Sequence, residues 1–434
     1  MESFQLSLFY DAKALLISSR PLREYHSLFS AFDLSHLSGT ITGPGRPPYS
    51  RAAILRAFMV MHRERIQSVP RLIAFLELNP FLTELCGFTS GIPEDTVFYR
   101  FLRETEHSAL ERIHIDINQR LIEAKAITLE QFEVDSKPVM AATKHNNSKN
   151  SKRSRNKHKK IRRNPDATLG YYSQLEMSDG TRRTDFFWGY REHVIVTREG
   201  ICLVKLTLPN NISDAQAAKR LIRKLKRIYR FKKGVIFLAD AAYDQKDLYN
   251  LIVNEMKSQA FIRLNPRGTE QPKTLGSHGR PLCQANLEMS YSCTCTDHGE
   301  RERIRHKFRC PLKTADRHEL LKQHPGGCPM GDPHFSQGAA YGCTKYIDVT
   351  DDPRHRLDRS SPLFQEKIKE RQGVEQYFSR LGDREVEQTT HYRLRTVRNQ
   401  MTIAHITLSL TALAAVAMGR PEKIRCYRTF AQAG

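Results

Sequence analysis

Residues 234–240, Gly-Val-Ile-Phe-Leu-Ala-Asp, form an unbroken apolar run closed by a carboxylate. A run with no polar alternation reads as a strand covered on both faces, delivering Asp240 at its C-terminal tip. The surrounding pattern agrees with an α/β class. Strands are expected at 131–135 (closed by Ser136-Lys137-Pro138), 184–190, 193–197, 201–208 and 260–264. Helices are expected at 214–229, opened by Ser213-Asp214, and at 245–257. Pro362 to Leu381 reads as one helix, with Val374, Tyr377, Phe378 and Leu381 at i, i+3, i+4 and i+7.

Residues 46–125 are helical in pattern. Pro47-Pro48-Tyr49-Ser50 caps one helix, Val69 to Leu78 is a second stopped by Asn79-Pro80, and Ser90-Gly91-Ile92-Pro93 precedes a third. Arg51, Arg56, Arg63, Arg65, Arg71 and Arg100 lie along them. They fit a DNA-docking domain and a plain bundle with a solvated basic face equally well.

Charge favours a polyanionic partner, because 69 Lys and Arg against 47 Asp and Glu leave a net +22. Ten of the basic residues fall in 144–163, which contains no acid. Such a segment cannot fold alone, but it can bind DNA by releasing counterions. Lys152, Arg153, Arg155, Lys157, Lys159 and Lys160 are its expected DNA contacts. The N-terminal residues show no basic region followed by a clean apolar stretch, so no signal peptide is expected. Met401 to Met418 is apolar over nearly a membrane's thickness. Its Thr402, His405, Thr407, Ser409 and Thr411 mark a buried core helix instead.

Three acids stand out: Asp135 at the end of the first strand, Asp240, and Glu375 bordering the apolar face of its helix. Brought together, three carboxylates would repel strongly, and hard divalent cations such as Mg²⁺ or Mn²⁺ remove that cost. Two such ions about 3.5–4 Å apart can activate a water or 3′-hydroxyl and stabilise the leaving oxygen of a phosphodiester. Glu133 shares a strand face with Asp135 and is read as a supporting residue. Asp244 is read as a helix N-cap with Asp247 at N3. Trp188, the single tryptophan, is expected in the core. Arg371, four residues before Glu375, could pair with it, orient it or touch a phosphate.

The order of these acids resembles that of the DDE transposases of bacterial insertion sequences. The similarity is carried by Phe132-Glu133-Val134-Asp135-Ser136, Gly189-Tyr190-Arg191, Leu208-Pro209-Asn210-Asn211-Ile212-Ser213-Asp214, Leu238-Ala239-Asp240-Ala241-Ala242-Tyr243-Asp244 and Arg371-Gln372-Gly373-Val374-Glu375. In the family's Tyr-x2-Arg-x3-Glu-x6-Lys signature, Arg371 and Glu375 match, Ile368 stands at the Tyr position and Gly382 at the Lys position. Arg380 and Arg384 are the neighbouring cations. The resemblance implies an RNase H-like catalytic core with Asp135, Asp240 and Glu375 around two Mg²⁺ or Mn²⁺ ions. It implies an N-terminal helical domain that binds terminal inverted repeats, cleavage at element 3′ ends, and strand transfer into target DNA. It further implies at least a homodimer in the active complex and a bacterial, cytoplasmic, nucleoid-associated location. A metal-dependent nuclease without strand transfer, and an inactive DNA-binding repressor, are the other readings of the same residues.

The expected organisation is a helical domain at 1–125, the first part of the core at 126–264, an insertion at 265–345, and C-terminal core helices at 346–434. The insertion holds Cys283, Cys293, Cys295, Cys310, Cys328 and Cys343, interleaved with histidines. In a chain without a secretion pattern these read as reduced thiols. With few aliphatic residues nearby, a structural Zn²⁺ on Cys293, Cys295, Cys310 and Cys328 is one expectation, buried thiols in a small β subdomain the other.

Overall fold

The computed structural model describes residues 18–34, 37, 48–89, 91–146, 161–176, 182–265, 275–276, 278–298, 302–314, 317–331, 342–350, 353–355, 359, 361–382 and 387–426. The central sheet is built from β1 (Gln131–Met140), β2 (Thr168–Glu176), β3 (Arg182–Thr197), β4 (Cys202–Pro209), β5 (Ile236–Ala239) and β6 (Gln259–Ile262). Its order is β4–β3–β1–β5–β6, with β2 paired to the first half of β3. β3 runs antiparallel to β1 and β4, whereas β5 and β6 run parallel to β1. This is the RNase H-like arrangement.

Alternation along the strands explains why both faces are covered. Ile195 of β3 packs into one hydrophobic cluster, and Val194 and Val196 into another on the opposite face. Phe237 and Ala239 of β5 face the first cluster, while Leu238 packs with Phe261, Phe364 and Ile368. The first face carries α7 (Asp214–Ile228), whose Ser213 side chain accepts the Gln216 N–H and caps it. The second carries α10 (Pro362–Glu370) and α11 (Gln372–Leu381).

Upstream lie α1 (Arg20–Ser30), α2 (Arg51–Arg63), α3 (Val69–Glu77), α4 (Pro80–Cys86), α5 (Asp95–Glu104) and α6 (His107–Glu123). As expected, Ser50 caps α2, accepting the Ala53 N–H. The core does not break near residue 125: Phe58, Leu110 and Ile117 belong to the same cluster as Phe132 and Phe237. The long apolar helix α12 (Leu394–Ala417) closes it, packing against α6, α2 and β4, with 89% of its most apolar window buried. Trp188 is buried in the second cluster.

Several boundaries differ from expectation for identifiable reasons. The second helix ends before Asn79-Pro80 as expected, but Pro80 also starts a further short helix, α4, since proline suits the first helical turn. The two strands expected at 184–197 are one strand, and β1 runs past Pro138. That proline is tolerated because β5 pairs with β1 only as far as Glu133, so one edge of β1 is open beyond it. The helix expected at 245–257 is α8 (Lys246–Tyr249) followed by a π-helical turn, Asn250–Glu255. Asp244 is not its N-cap. It is buried, accepts the Asn265 N–H at 3.0 Å and lies 3.7 Å from Arg359.

Asn399 of α12 stitches the upstream helices to the rest. Fully buried, it donates from Nδ2 to the carbonyls of Leu102 and Thr105, both at 2.9 Å, where α5 ends. Asn399→Ala orphans both acceptors and is expected to cost about 2–4 kcal/mol, read as a lower urea midpoint with an unchanged m-value.

Candidate active site

The parallel register of β1 and β5 pairs Phe132 with Phe237 and Glu133 with Leu238. Carried two residues further, it sets Asp135 beside Asp240 at the C-terminal end of β5. Each aspartate is fixed by a local backbone bond. Asp135 Oδ1 accepts the Ser136 N–H and Asp240 Oδ1 the Ala242 N–H, both at 2.8 Å. The second oxygens, Oδ2 in each case, turn toward one point, the guanidinium of Arg371.

Arg371 stands where the single helix expected at 362–381 is broken. It ends α10 and begins α11, with φ −60° and ψ −7°. Its Nη2 lies 2.9 Å from Asp135 Oδ2 and 3.7 Å from Asp240 Oδ2, and its Nη1 lies 3.2 Å from Glu375 Oε1. The three acids are thus brought around one cation. Burial raises the pKa of Asp135 to about 7; the charge of Arg371 opposes that rise, and Asp240 adds to it. Burial raises Asp240 as well. One positive charge does not balance the carboxylates gathered there.

Supporting residues hold these groups. Glu133 is buried and accepts the Val374 N–H at 2.7 Å in the first turn of α11, so it anchors the helix that carries Glu375. Burial also lifts Glu133 to about 7, against the pull of that hydrogen bond. Two residues beyond Glu375, Tyr377 bonds His405, and His405 Nε2 lies 3.0 Å from Glu192, with the histidine and the glutamate wholly buried. Burial keeps His405 neutral. Burial alone would raise Glu192, yet the hydrogen bond from His405 holds it below the usual carboxylate range. The arrangement that satisfies all three has Tyr377 donating to Nδ1 and Nε2–H donating to Glu192. Lys137 Nζ reaches the Phe378 carbonyl at 3.3 Å.

Asp214 and Arg191, singled out in the sequence only within family matches, also border the site. Ser136 Oγ donates to Asp214 at 2.7 Å and accepts from Arg191 at 3.2 Å, and the charge of Asp214 presses on both Asp135 and Asp240. The one sequence cue for this pairing was an acid opening a helix just after a strand.

The basic residues fare differently. Arg63 is buried against Glu24 at 2.6 Å, Arg51 donates to Thr105, and Arg56 lies over Phe29. These three serve packing, while Arg65, Arg71 and Arg100 are exposed. Lys152, Arg153, Arg155, Lys157, Lys159, Lys160 and Arg384 lie outside the described residues. Arg380 donates to the Gly200 carbonyl at 2.7 Å. Gly382 has φ 108°, a conformation that strains any L side chain, so lysine at this position would be costly. Ile368 packs under β5 and β6.

Among the described residues, no trio of His, Cys, Asp or Glu is poised for an ion as it stands. Around Asp135, Asp240 and Glu375, the guanidinium holds the centre. Cys293 is exposed on β7 (Ser290–His298), and Cys295 donates to the Arg305 carbonyl at 3.6 Å, across the ladder to β8 (Glu302–Arg309).

Because Asp135 ionises near pH 7 when folded and near 4 when unfolded, it favours the folded chain below about 4. That contribution is lost as pH rises through 7. Asp135→Asn is therefore expected to raise the melting temperature above pH 7 in chelated buffer, with the gain fading as pH falls toward 4. Equal gains at pH 8 and pH 4.5 in thermal scans would show that Asp135 is not so perturbed.

Comparisons with known proteins identify the family. Residues 130–410 match the family described as Transposase DDE domain, and residues 11–104 match the Transposase domain (DUF772). No curated protein matches the chain significantly. Among solved structures, a piggyBac transposase synaptic complex with hairpin DNA is similar at 10% identity with a TM-score of 0.36, covering 97% of this chain and 80% of that one. With well over half its length matched by the catalytic-domain family, this chain belongs to the DDE transposases.

Proposed function

We propose that the protein binds the terminal inverted repeats of a mobile element, cleaves DNA at the element's 3′ ends and joins them to target DNA. One observation carries the catalytic part: Asp135, Asp240 and Glu375 converge on a single guanidinium. That cradle of hard oxygen donors, which already draws in a cation, suits two Mg²⁺ or Mn²⁺ ions. Bound there, such ions supply Lewis acidity toward phosphate oxygens and a lowered pKa for a water or 3′-hydroxyl.

The chain's own groups have separable tasks. Ser136 and Ala242 each occupy one oxygen of an aspartate, leaving the other to face the shared point. Glu133, Tyr377 and Lys137 keep α11 against the sheet, so that Glu375 is presented from its first turn. Arg371 holds the carboxylates together; with divalent ions held by Asp135, Asp240 and Glu375, its planar fork would suit a phosphodiester oxygen pair. The basic segment 144–163 contributes sequence-independent affinity. Two ends must be cut and joined together, so a dimer is the active form, working on nucleoid DNA in the cytoplasm.

Asp240→Asn is expected to lower Mg²⁺- or Mn²⁺-dependent cleavage of end-containing duplexes at least ~100-fold while leaving duplex binding intact. Wild-type cleavage without joined products would reduce the protein to a nuclease. Binding without cleavage in either metal would reduce it to a DNA-binding protein. Since protons and a divalent ion compete for Asp135, the metal concentration that gives half-maximal cleavage is expected to rise as pH falls below about 7. A half-maximal metal concentration unchanged from pH 8 to pH 5.5 would contradict the assignment.

A further inference from the structure

The insertion between β6 and α10 has little to hold it together. Its sheet of β7, β8 and β9 (Thr344–Asp348) exposes most of its residues, and among the described residues the buried hydrophobic set is small: Met289, Phe308, Cys310, Leu312 and Val349. None of these belongs to the main hydrophobic clusters. A subdomain with so small a core needs a cross-link or a metal.

Three of its cysteines are placed alike. Cys283, Cys310 and Cys328 each open a tight turn, in which the N–H three residues on bonds the cysteine carbonyl. The donors are Asn286 at 3.0 Å, Lys313 at 3.1 Å and Gly331 at 3.0 Å. Asn286 and Gly331 take positive φ, 57° and 61°, to complete those turns. Pro311 and Pro329 follow two of the cysteines and preset the turn's second position. Burial raises the pKa of the Cys310 thiol, and the Leu312 N–H, which bonds its sulfur, opposes that rise.

The fourth cysteine comes from the loop before β9. Cys310 N–H donates to the Cys343 carbonyl at 3.0 Å, and the two thiols hydrogen-bond each other. The approach depends on Gly342, with φ 59°, where a Cβ would lie 2.8 Å from Cys310 Cβ. Cys283 and Cys328 stand near enough to interact electrostatically with Cys310.

We infer that Cys283, Cys310, Cys328 and Cys343 form a structural Zn²⁺ site that folds the insertion. Four thiolates from three turns and a strand approach match a closed tetrahedral site and select a soft ion over Mg²⁺. The described residues hold no ready-made metal cage, and metal binding would supply the free energy that draws the four sulfurs around an ion. This set keeps Cys310 and Cys328 of the sequence expectation and replaces Cys293 and Cys295, which sit on the open ladder of β7.

The test is zinc content of the full chain, purified without chelators in reducing buffer. One Zn²⁺ per chain is expected in the wild type, in Cys293→Ser and in Cys295→Ser, with loss in Cys283→Ser and Cys343→Ser. Co²⁺ exchanged into the wild-type chain is expected to give the visible bands of a tetrahedral four-thiolate ion, a readout that survives if the serine variants aggregate. A metal-free wild type after growth in zinc-supplemented medium would overturn the inference. So would zinc retained by both Cys283→Ser and Cys343→Ser, or Co²⁺ bands lacking four-sulfur character. Because no readout is DNA cleavage, the result is independent of the catalytic assignment.

Discussion

Electrostatic repulsion among carboxylates is the constraint around which the catalytic half is arranged. Asp135 and Asp240 are set side by side by strand register, Asp214 presses on both, and Glu375 is carried in by α11. Left alone, these charges would push the strand ends and the helix apart. Arg371 counters this at the one place where its side chain reaches Asp135, Asp240 and Glu375 together. It reaches them because the helix is interrupted at that residue. Backbone geometry and charge are therefore one device: the break aims the guanidinium, and the guanidinium keeps the acids together.

Behind the acids, polar groups are buried only where they fasten one element to another. The Tyr377–His405–Glu192 chain joins α11, α12 and β3 through the protein interior. Lys205, also buried, bonds Thr402 of α12 and interacts with Glu192, and burial lowers its pKa to about 8. Each such bond is costly to leave unmade, which makes the position of α11 specific, not merely adhesive.

Much of this was legible in the residues themselves. The apolar run before Asp240 could be little else than a central strand, and the acid at its end followed. Asp135 and Glu375 were found through strand and helix patterns with the family order. The helix break at Arg371 was hidden because arginine is a good helix former and the one local mark, Gly373, is tolerated as a lone glycine inside a helix. β2 escaped because its pairing with β3 is tertiary. The zinc expectation was drawn to Cys293 and Cys295 by their closeness in sequence. The turns that gather Cys283 and Cys343 depend on positive φ at Asn286 and Gly342, which spacing alone does not disclose. The six upstream arginines fitted a DNA-facing set and a solvated face equally, yet half of them pack, since a long side chain over an aromatic ring or against Glu24 packs as readily as it solvates.

Helix α12 belongs to both halves of the molecule at once. Ile403, Ile406 and Leu410 fill the cluster shared with the upstream helices, and Met401, Ala404 and Leu408 fill the one beneath α11. An element made this late by the ribosome thus completes hydrophobic packing begun several hundred residues earlier. A nascent chain holds its upstream helices and the sheet that carries Asp135 and Asp240 unfinished until α12 has emerged, and a fragment stopped before residue 394 has neither half sealed.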